Sequence, residues 1–178
     1  LYGRFRFNTP YHKNEFRHES NFGGGCLLAL GVYGISMIAW VLGWEMQSQF
    51  VSLKKNYNVD TDTTLEFANE QGQKARFRAS FEENLSPKME IHTSQGLISM
   101  TNPWTPDSSN CLIEWKKKTG GRQLLHQGDT SIAWGREALH VEQLIEGRLK
   151  ESPFFTLTDS LARAKVIDAI KGEMKKEA

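Results

Sequence analysis

Three consecutive glycines, Gly23, Gly24 and Gly25, open an uncharged stretch that runs to Trp44. Glycines before a helix do one of two things. They let the backbone approach a ligand, with free N–H groups at the helix start, or they turn a loop tightly into the helix. The spacing is not a dinucleotide fingerprint, because Leu28 stands where a third spaced glycine belongs and no buried parallel strand precedes the triad. Trp104, in "NPWTP", either stacks on a sugar ring or packs as a loop aromatic. His12, His18, His92, His126 and His140 share no metal-ligand spacing, and all five read as solvated. Cys26 and Cys111 form neither a metal pair nor a disulfide framework and read as small buried hydrophobes. Lys116, Lys117 and Lys118 read as an exposed strand end. No Ser-His-Asp or Cys-His set can be assembled.

The totals narrow the field further. The chain has 178 residues with 22 Lys+Arg against 21 Asp+Glu, a net charge of +1. That balance gives no electrostatic footprint for a nucleic-acid partner. The length suits one domain, residues 1–178, with a real core, or two very small ones. Two lone thiols fit a reducing, cytoplasmic compartment. The start, "LYGRFRFNTPYHKNEF", lacks the apolar run of a secretory signal and has no initiator Met, so a fragment or processed product is expected.

These residues must be positioned by elements that the patterning predicts. "YGRFRFN" alternates Phe5 and Phe7 against Arg4 and Arg6, a strand over 2–8. After the apolar segment the period is two. "QFVSL" offers Phe50, "TTLEFA" lines up Thr63, Leu65 and Phe67, and "KARFRASF" sets Ala75, Phe77, Ala79 and Phe81 on one face. "NEQGQ" between them is a hairpin turn with Gly72 at positive φ. Met89 with Ile91, then "LISM", then Cys111, Ile113 and Trp115 suggest further strands, the last ending at "KTGG". Two amphipathic helices follow. One carries Ala138, Val141, Leu144, Ile145 and Leu149 and ends before Pro153. The other carries Leu161, Ala164, Ile167, Ile170 and Met174 behind a Thr156–Asp159 capping box. The layout is a strand, a long apolar helix, about six strands and two helices. That predicts an α+β fold: an open, predominantly antiparallel sheet with helices packed on one face.

The apolar segment is also long enough to cross a bilayer. Its glycines (Gly31, Gly34 and Gly43 beyond the triad), its mixed flanking charge and the sheet's need for a cover favour a core helix over 22–44. A single-pass membrane subunit is the weaker alternative, and no membrane partner is expected.

Four blocks then carry a family resemblance. "NFGGGCLLALGVYGISMIAWVLGWE" resembles the glycine-led segment that opens the second domain of the Gfo/Idh/MocA oxidoreductases. "NVDTDTTLEFANEQGQKARFRASF" is similar to that family's V-D-D/T-D-T run and following strand pair. "MEIHTSQGLISMTNPW" looks like its G-T-x-G hairpin, and "ALHVEQLIEGRLKESPFFTLTDSLARAKVIDAI" resembles its final helix pair. The resemblance implies a C-terminal substrate-binding and oligomerisation domain of an NAD(P)-dependent sugar or polyol oxidoreductase. Such enzymes move a hydride between nicotinamide and a sugar-like carbon. The family's N-terminal dinucleotide-binding domain, with its E-K-P lysine, has no counterpart in these residues, so no cofactor is expected for this chain alone. NAD(P) would enter with a nucleotide-binding domain supplied elsewhere.

Two family positions on the glycine-led helix face the reaction site. The first, normally Asp, is matched by Ala29, which can neither accept nor donate a proton. The second is matched by Tyr33, a phenol able to hydrogen-bond a substrate hydroxyl or act as an acid; the alternative is a core aromatic. With Gly23, Gly24, Gly25 and Trp104 on the substrate side, the expected ligand is a sugar or polyol. The loss of the carboxylate also admits a stand-alone carbohydrate-binding or dimerisation module. In the resembled family the open sheet face pairs with another subunit's sheet, so the face with Glu66, Arg76, Arg78 and Glu90 is expected to pair two chains as a homodimer; the alternative is a solvated polar face.

Overall fold

The computed structural model describes residues 2–6, 15–56, 58–104, 111–128 and 133–174. Eight strands form one sheet: β1 (Tyr2–Arg6), β2 (Gln47–Asn56), β3 (Val59–Ala68), β4 (Lys74–Ser80), β5 (Lys88–Thr93), β6 (Gly96–Thr101), β7 (Leu112–Lys117) and β8 (Arg122–Gln127). Their order is β2-β3-β4-β1-β5-β6-β7-β8, antiparallel except where β1 runs parallel to β4. The α+β expectation therefore holds. Phe7, Asn8 and His12 lie outside the described residues, as do the side chains of Phe50 and Met174.

One register line crosses the whole sheet: Val51, Leu65, Phe77, Gly3, Met89, Met100, Ile113 and His126. Because paired residues share a face, this line and its second neighbours define the inner side. Thr63, Leu65, Phe67, Ala75, Phe77, Ala79 and Phe81 are buried there, as the alternation predicts. The hairpin turns at Gly72, with φ 73°.

The cover is the apolar segment. Two 3-10 turns, Phe16–His18 and Ser20–Phe22, lead into a π-helical turn, Leu27–Gly31, and then α1 (Val32–Leu42). Leu27, Leu30, Ile35, Ile38, Ala39 and Leu42 join the sheet side chains in one core. Gly34 is where helix and sheet come closest, since a Cβ there would overlap the Phe77 ring. Ser20–Leu42 has the length and composition of a membrane span, yet this face of it is packed on the sheet. It is not apolar all round in use: Tyr33 and Trp40 stand outward, 52% and 65% exposed.

The last two helices are α2 (Ala133–Glu146) and α3 (Leu157–Met174). The capping box forms as expected. The Asp159 amide donates to Thr156 Oγ1 (3.1 Å), and Asp159 Oδ2 accepts from the Thr156 amide (2.8 Å) and hydroxyl (2.7 Å). Three expectations change. The buried face of α3 is Ile167 and Ile170 with Val166 beside them, while Leu161 points outward, because the helix reaches the apolar core only from Val166 onward. α2 stops at Gly147 and Arg148 (φ 52°), well before Pro153. Its stripe is also uncovered: Val141, Ile145 and Leu149 are exposed, and among the described residues the sheet face is covered by the π-helical turn, α1 and α3. β8 is a strand that the alternation did not reveal, since a bulge at Ile113/Glu114 breaks its register and Leu124 and Leu125 are adjacent in sequence.

Candidate functional site

The glycine triad is an internal turn. Gly23, Gly24 and Gly25 donate their amides to Ser20 O (3.1 Å), Glu19 O (2.9 Å) and Arg17 O (2.8 Å). These N–H groups are spent within the chain, which corrects the expectation of free donors for a ligand and leaves no cradle for a cofactor phosphate. The need for glycine is steric. A Cβ at Gly24 would stand 2.6 Å from Arg17 O, and Gly25, at φ 117°, lies against the Asp60 carboxylate.

Asp60 explains why the helix starts there. Its Oδ2 accepts from the Leu27 amide (2.6 Å) and from Thr63 Oγ1 (2.7 Å), so a buried carboxylate in β3 caps the positive end of the helical segment. Cys26 sits beside it at zero exposure. Burial, then the Asp60 and Asp62 charges, push its thiol far above the ordinary range, which makes it an inert hydrophobe, as expected. Cys111 is buried too, and burial pushes its thiol up.

Fixed by this turn, the helical segment presents Ala29 and Tyr33. Ala29 is half-buried and rests against the core, with a methyl group where the resembled family has a carboxylate. Tyr33 is outward, which removes the core-aromatic alternative. Its ring lies 6.1 Å from that of Trp104, tilted by 57°. Trp104 packs as a loop aromatic, partly buried against the core, with its ring beside that of Tyr33. One turn beyond Tyr33, Ser36 Oγ donates to Val32 O (2.8 Å) and accepts a long hydrogen bond from Arg163 (3.4 Å). An aromatic pair beside hydrogen-bonding groups on a rigid helix can stack and orient a ring bearing hydroxyls.

Other groups stay apart from this surface. His18 is buried against the Phe81 ring, 5.1 Å between centroids, contrary to the expectation of five solvated histidines. The loop that forms the glycine turn carries it inward. His92 and His126 are exposed, and His140 meets Ser152 Oγ at 2.9 Å. Among the described residues no group of three His, Cys, Asp or Glu side chains is placed to hold a metal. A groove of about 490 Å³ between α3 and the start of β2, floored by Met46, Phe67 and Ile170, includes neither Tyr33 nor Trp104.

A family model described as the GFO/IDH/MocA C-terminal domain matches residues 1–99, more than half of the chain. The chain belongs to the Gfo/Idh/MocA family, as its C-terminal domain. Pig (Sus scrofa) trans-1,2-dihydrobenzene-1,2-diol dehydrogenase is 24% identical over 155 residues, covering 83% of this chain and 46% of that protein. A dTDP-3,4-didehydro-2,6-dideoxy-alpha-D-glucose 3-reductase of Actinomadura kijaniata is 23% identical over 167 residues, covering 91% of this chain and 48% of the reductase. The chain thus spans about half the length of these Gfo/Idh/MocA relatives. Among solved structures, the 3-ketoreductase KijD10 from the same organism, in complex with NADP and TDP-benzene, superposes with a TM-score of 0.79 at 22% identity. That match covers 96% of this chain and 52% of KijD10. The aldose-aldose oxidoreductase of Caulobacter crescentus, complexed with glycerol, gives 0.81 at 14% identity, covering 99% and 53%. These likenesses show the shared fold of the domain.

Sequence reasoning missed Asp60, which caps the helix that carries this surface, and Arg163, which reaches it through Ser36. Asp60 sits in the "NVDTDT" run, where a carboxylate among Val and Thr of a buried strand was the available signal. Arg163 interrupts the apolar stripe of α3, which was its signal.

Proposed function

We propose that this Gfo/Idh/MocA domain is the substrate-binding half of an NAD(P)-dependent oxidoreductase acting on a sugar or polyol, with the outer face of α1 as the substrate wall. The observation that supports this most is the meeting of Tyr33 and Trp104, distant in sequence, on an exposed face built from the family's glycine-led helix. In this reading Trp104 lies along the sugar ring and the Tyr33 hydroxyl hydrogen-bonds the hydroxyl at the carbon that exchanges hydride. The nicotinamide arrives with a nucleotide-binding domain. With Ala29 in the carboxylate position, the phenol is the remaining group on this helix segment able to hold that proton. Calorimetric titration with a panel of neutral and charged sugars, D-glucose and myo-inositol among them, tests the reading. Saturable binding weakened by Tyr33→Phe and Trp104→Ala is expected. No binding across the panel, or binding indifferent to both substitutions, sinks it.

A second reading, a carbohydrate-binding module without redox role, is favoured by the Ala29 methyl. It predicts sugar binding that NADPH and an added nucleotide-binding domain leave unchanged.

The outer sheet face supports a homodimer in the same proposal. Its charges are paired, some across strands and some between near neighbours in the chain. Arg78 contacts Asp62 (2.7 Å) and Glu83 (2.5 Å), Arg76 contacts Glu66 (3.6 Å), Lys88 pairs with Glu90, and Arg122 pairs with Glu114. Neutralised pairs on a flat face lower the cost of burying it against a second copy. Light scattering is expected to give two chains for the parent protein and one for Lys88→Glu or Arg78→Glu. An unchanged mass in both variants argues against that face.

A further inference from the structure

Arg163, on the second turn of α3, carries a charge that the described residues hold in place without neutralising. Its guanidinium lies 4.9 Å over the Phe155 ring, and Nη1 donates to Ser36 Oγ at 3.4 Å. A ring and a hydroxyl fix its direction, yet among the described residues no carboxylate forms an ion pair with it. The carboxylate at helical pairing distance is Asp159, one turn earlier. Its two oxygens are committed elsewhere, Oδ1 to Trp44 Nε1 (2.7 Å) and Oδ2 to Thr156. The Thr156 bonds first, then that from Trp44, hold the Asp159 pKa below its ordinary value and occupy both carboxylate oxygens.

Half-burying a cation with no counter-charge costs stability unless a ligand supplies one. The planar fork of a guanidinium matches a carboxylate or phosphate through paired N–H donors, and stacking on a ring pre-sets its plane. Ser36 is one helical turn from Tyr33, about 5 Å along the axis. A sugar-sized ring held at Tyr33 and Trp104 would therefore bring a substituent to Arg163.

We propose that Arg163 recognises an oxyanion, a carboxylate or phosphate, carried by the ligand of the α1 face. This rests on the reading of that face as the substrate wall and names the ligand class further: an acidic sugar or a sugar phosphate. The guanidinium anchors the anionic end, so the hydroxyl-bearing carbon at the other end falls at Tyr33.

Titration calorimetry with D-glucose, D-glucuronate, D-glucose 6-phosphate and inorganic phosphate tests it on the parent chain, Arg163→Met and Arg163→Lys. Circular dichroism establishes that each variant is folded. At least one charged sugar is expected to bind about tenfold tighter than glucose. That preference should vanish in Arg163→Met and fall partway in Arg163→Lys, which keeps charge without the fork. Preference for glucuronate assigns a carboxylate, and preference for the sugar phosphate or for phosphate itself assigns a phosphate. Equal binding of charged and neutral sugars, a preference that survives Arg163→Met, or no binding of either charged sugar overturns the assignment. Where glucose still binds through Tyr33 and Trp104, the substrate-wall reading stands and Arg163 alone is refuted. Where nothing binds, both fall.

Discussion

Leu65 and Phe77 stand on one register line with Met100 and Ile113, yet the first two are closed off from water and the last two are half-exposed. The difference lies in what covers them. The half made of β2, β3 and β4 has α1 and α3 over its inner face, whereas β8 at the far edge is exposed along its whole length. The same alternation thus gives a core in one half and a wall in the other. Burial is a property of the pair of elements in contact, and the strand pattern reports only half of that pair. The covering helix also does more than cover: its inner face holds the sheet and its outer face carries Tyr33.

Substitutions that probe each half sharpen this contrast. Phe77→Ala should cost about 3–5 kcal/mol, because its fully buried ring fills the contact with Gly34. Ile113→Ala, at the equivalent place in the uncovered half, should cost less than half as much in the same urea titration. Equal losses would mean that the far half is covered in solution.

Asp60→Ala comes next, at about 2 kcal/mol, since it strands the Leu27 amide and the Thr63 hydroxyl in the interior. The loss should appear in thermal melts and as faster amide exchange at Cys26 to Ala29, leaving β5 to β8 unchanged. Fraying spread evenly over the sheet would contradict the assignment of Asp60 to the helix start.

Thr156→Ala should cost about 1 kcal/mol through the capping box of α3. The Thr156 hydroxyl and amide, then Trp44, hold the Asp159 pKa below its ordinary value. The folded chain therefore binds fewer protons there than the unfolded chain, and this contribution is present at neutral pH. It is lost as pH falls below about 4. The gap between parent and Thr156→Ala in chemical denaturation should shrink across that acid range. A gap that widens on acidification would refute the cap. The smallest effect belongs to β8, where Leu124→Ala should stay within about 0.5 kcal/mol.

Much of the covered half was legible in the residues. Ala75, Phe77, Ala79 and Phe81 alternate cleanly because a strand with one wet face selects side chains with period two. Thr156 and Asp159 announced their cap because all three of its bonds are local. The rest depends on contacts between distant positions. That Tyr33 meets Trp104, and that Arg17 and Glu19 carbonyls absorb the glycine amides, follows from how the loop folds back on itself. His18 is carried inward by the same loop, so its polarity was a poor guide to its exposure. In α2 the stripe of Val141 and Ile145 announced an amphipathic helix correctly, but a stripe does not say what it packs against.

The central claim is that the covered half of this Gfo/Idh/MocA domain offers its ligand wall on the outside of α1. Hydrogen–deuterium exchange with and without a saturating sugar from the binding panel tests it most directly. Added protection over residues 29–36 and around 101–104, with β7 and β8 unchanged, is the predicted result. Protection confined to β5 through β8, or no change over 29–36 while the sugar is bound, would contradict it.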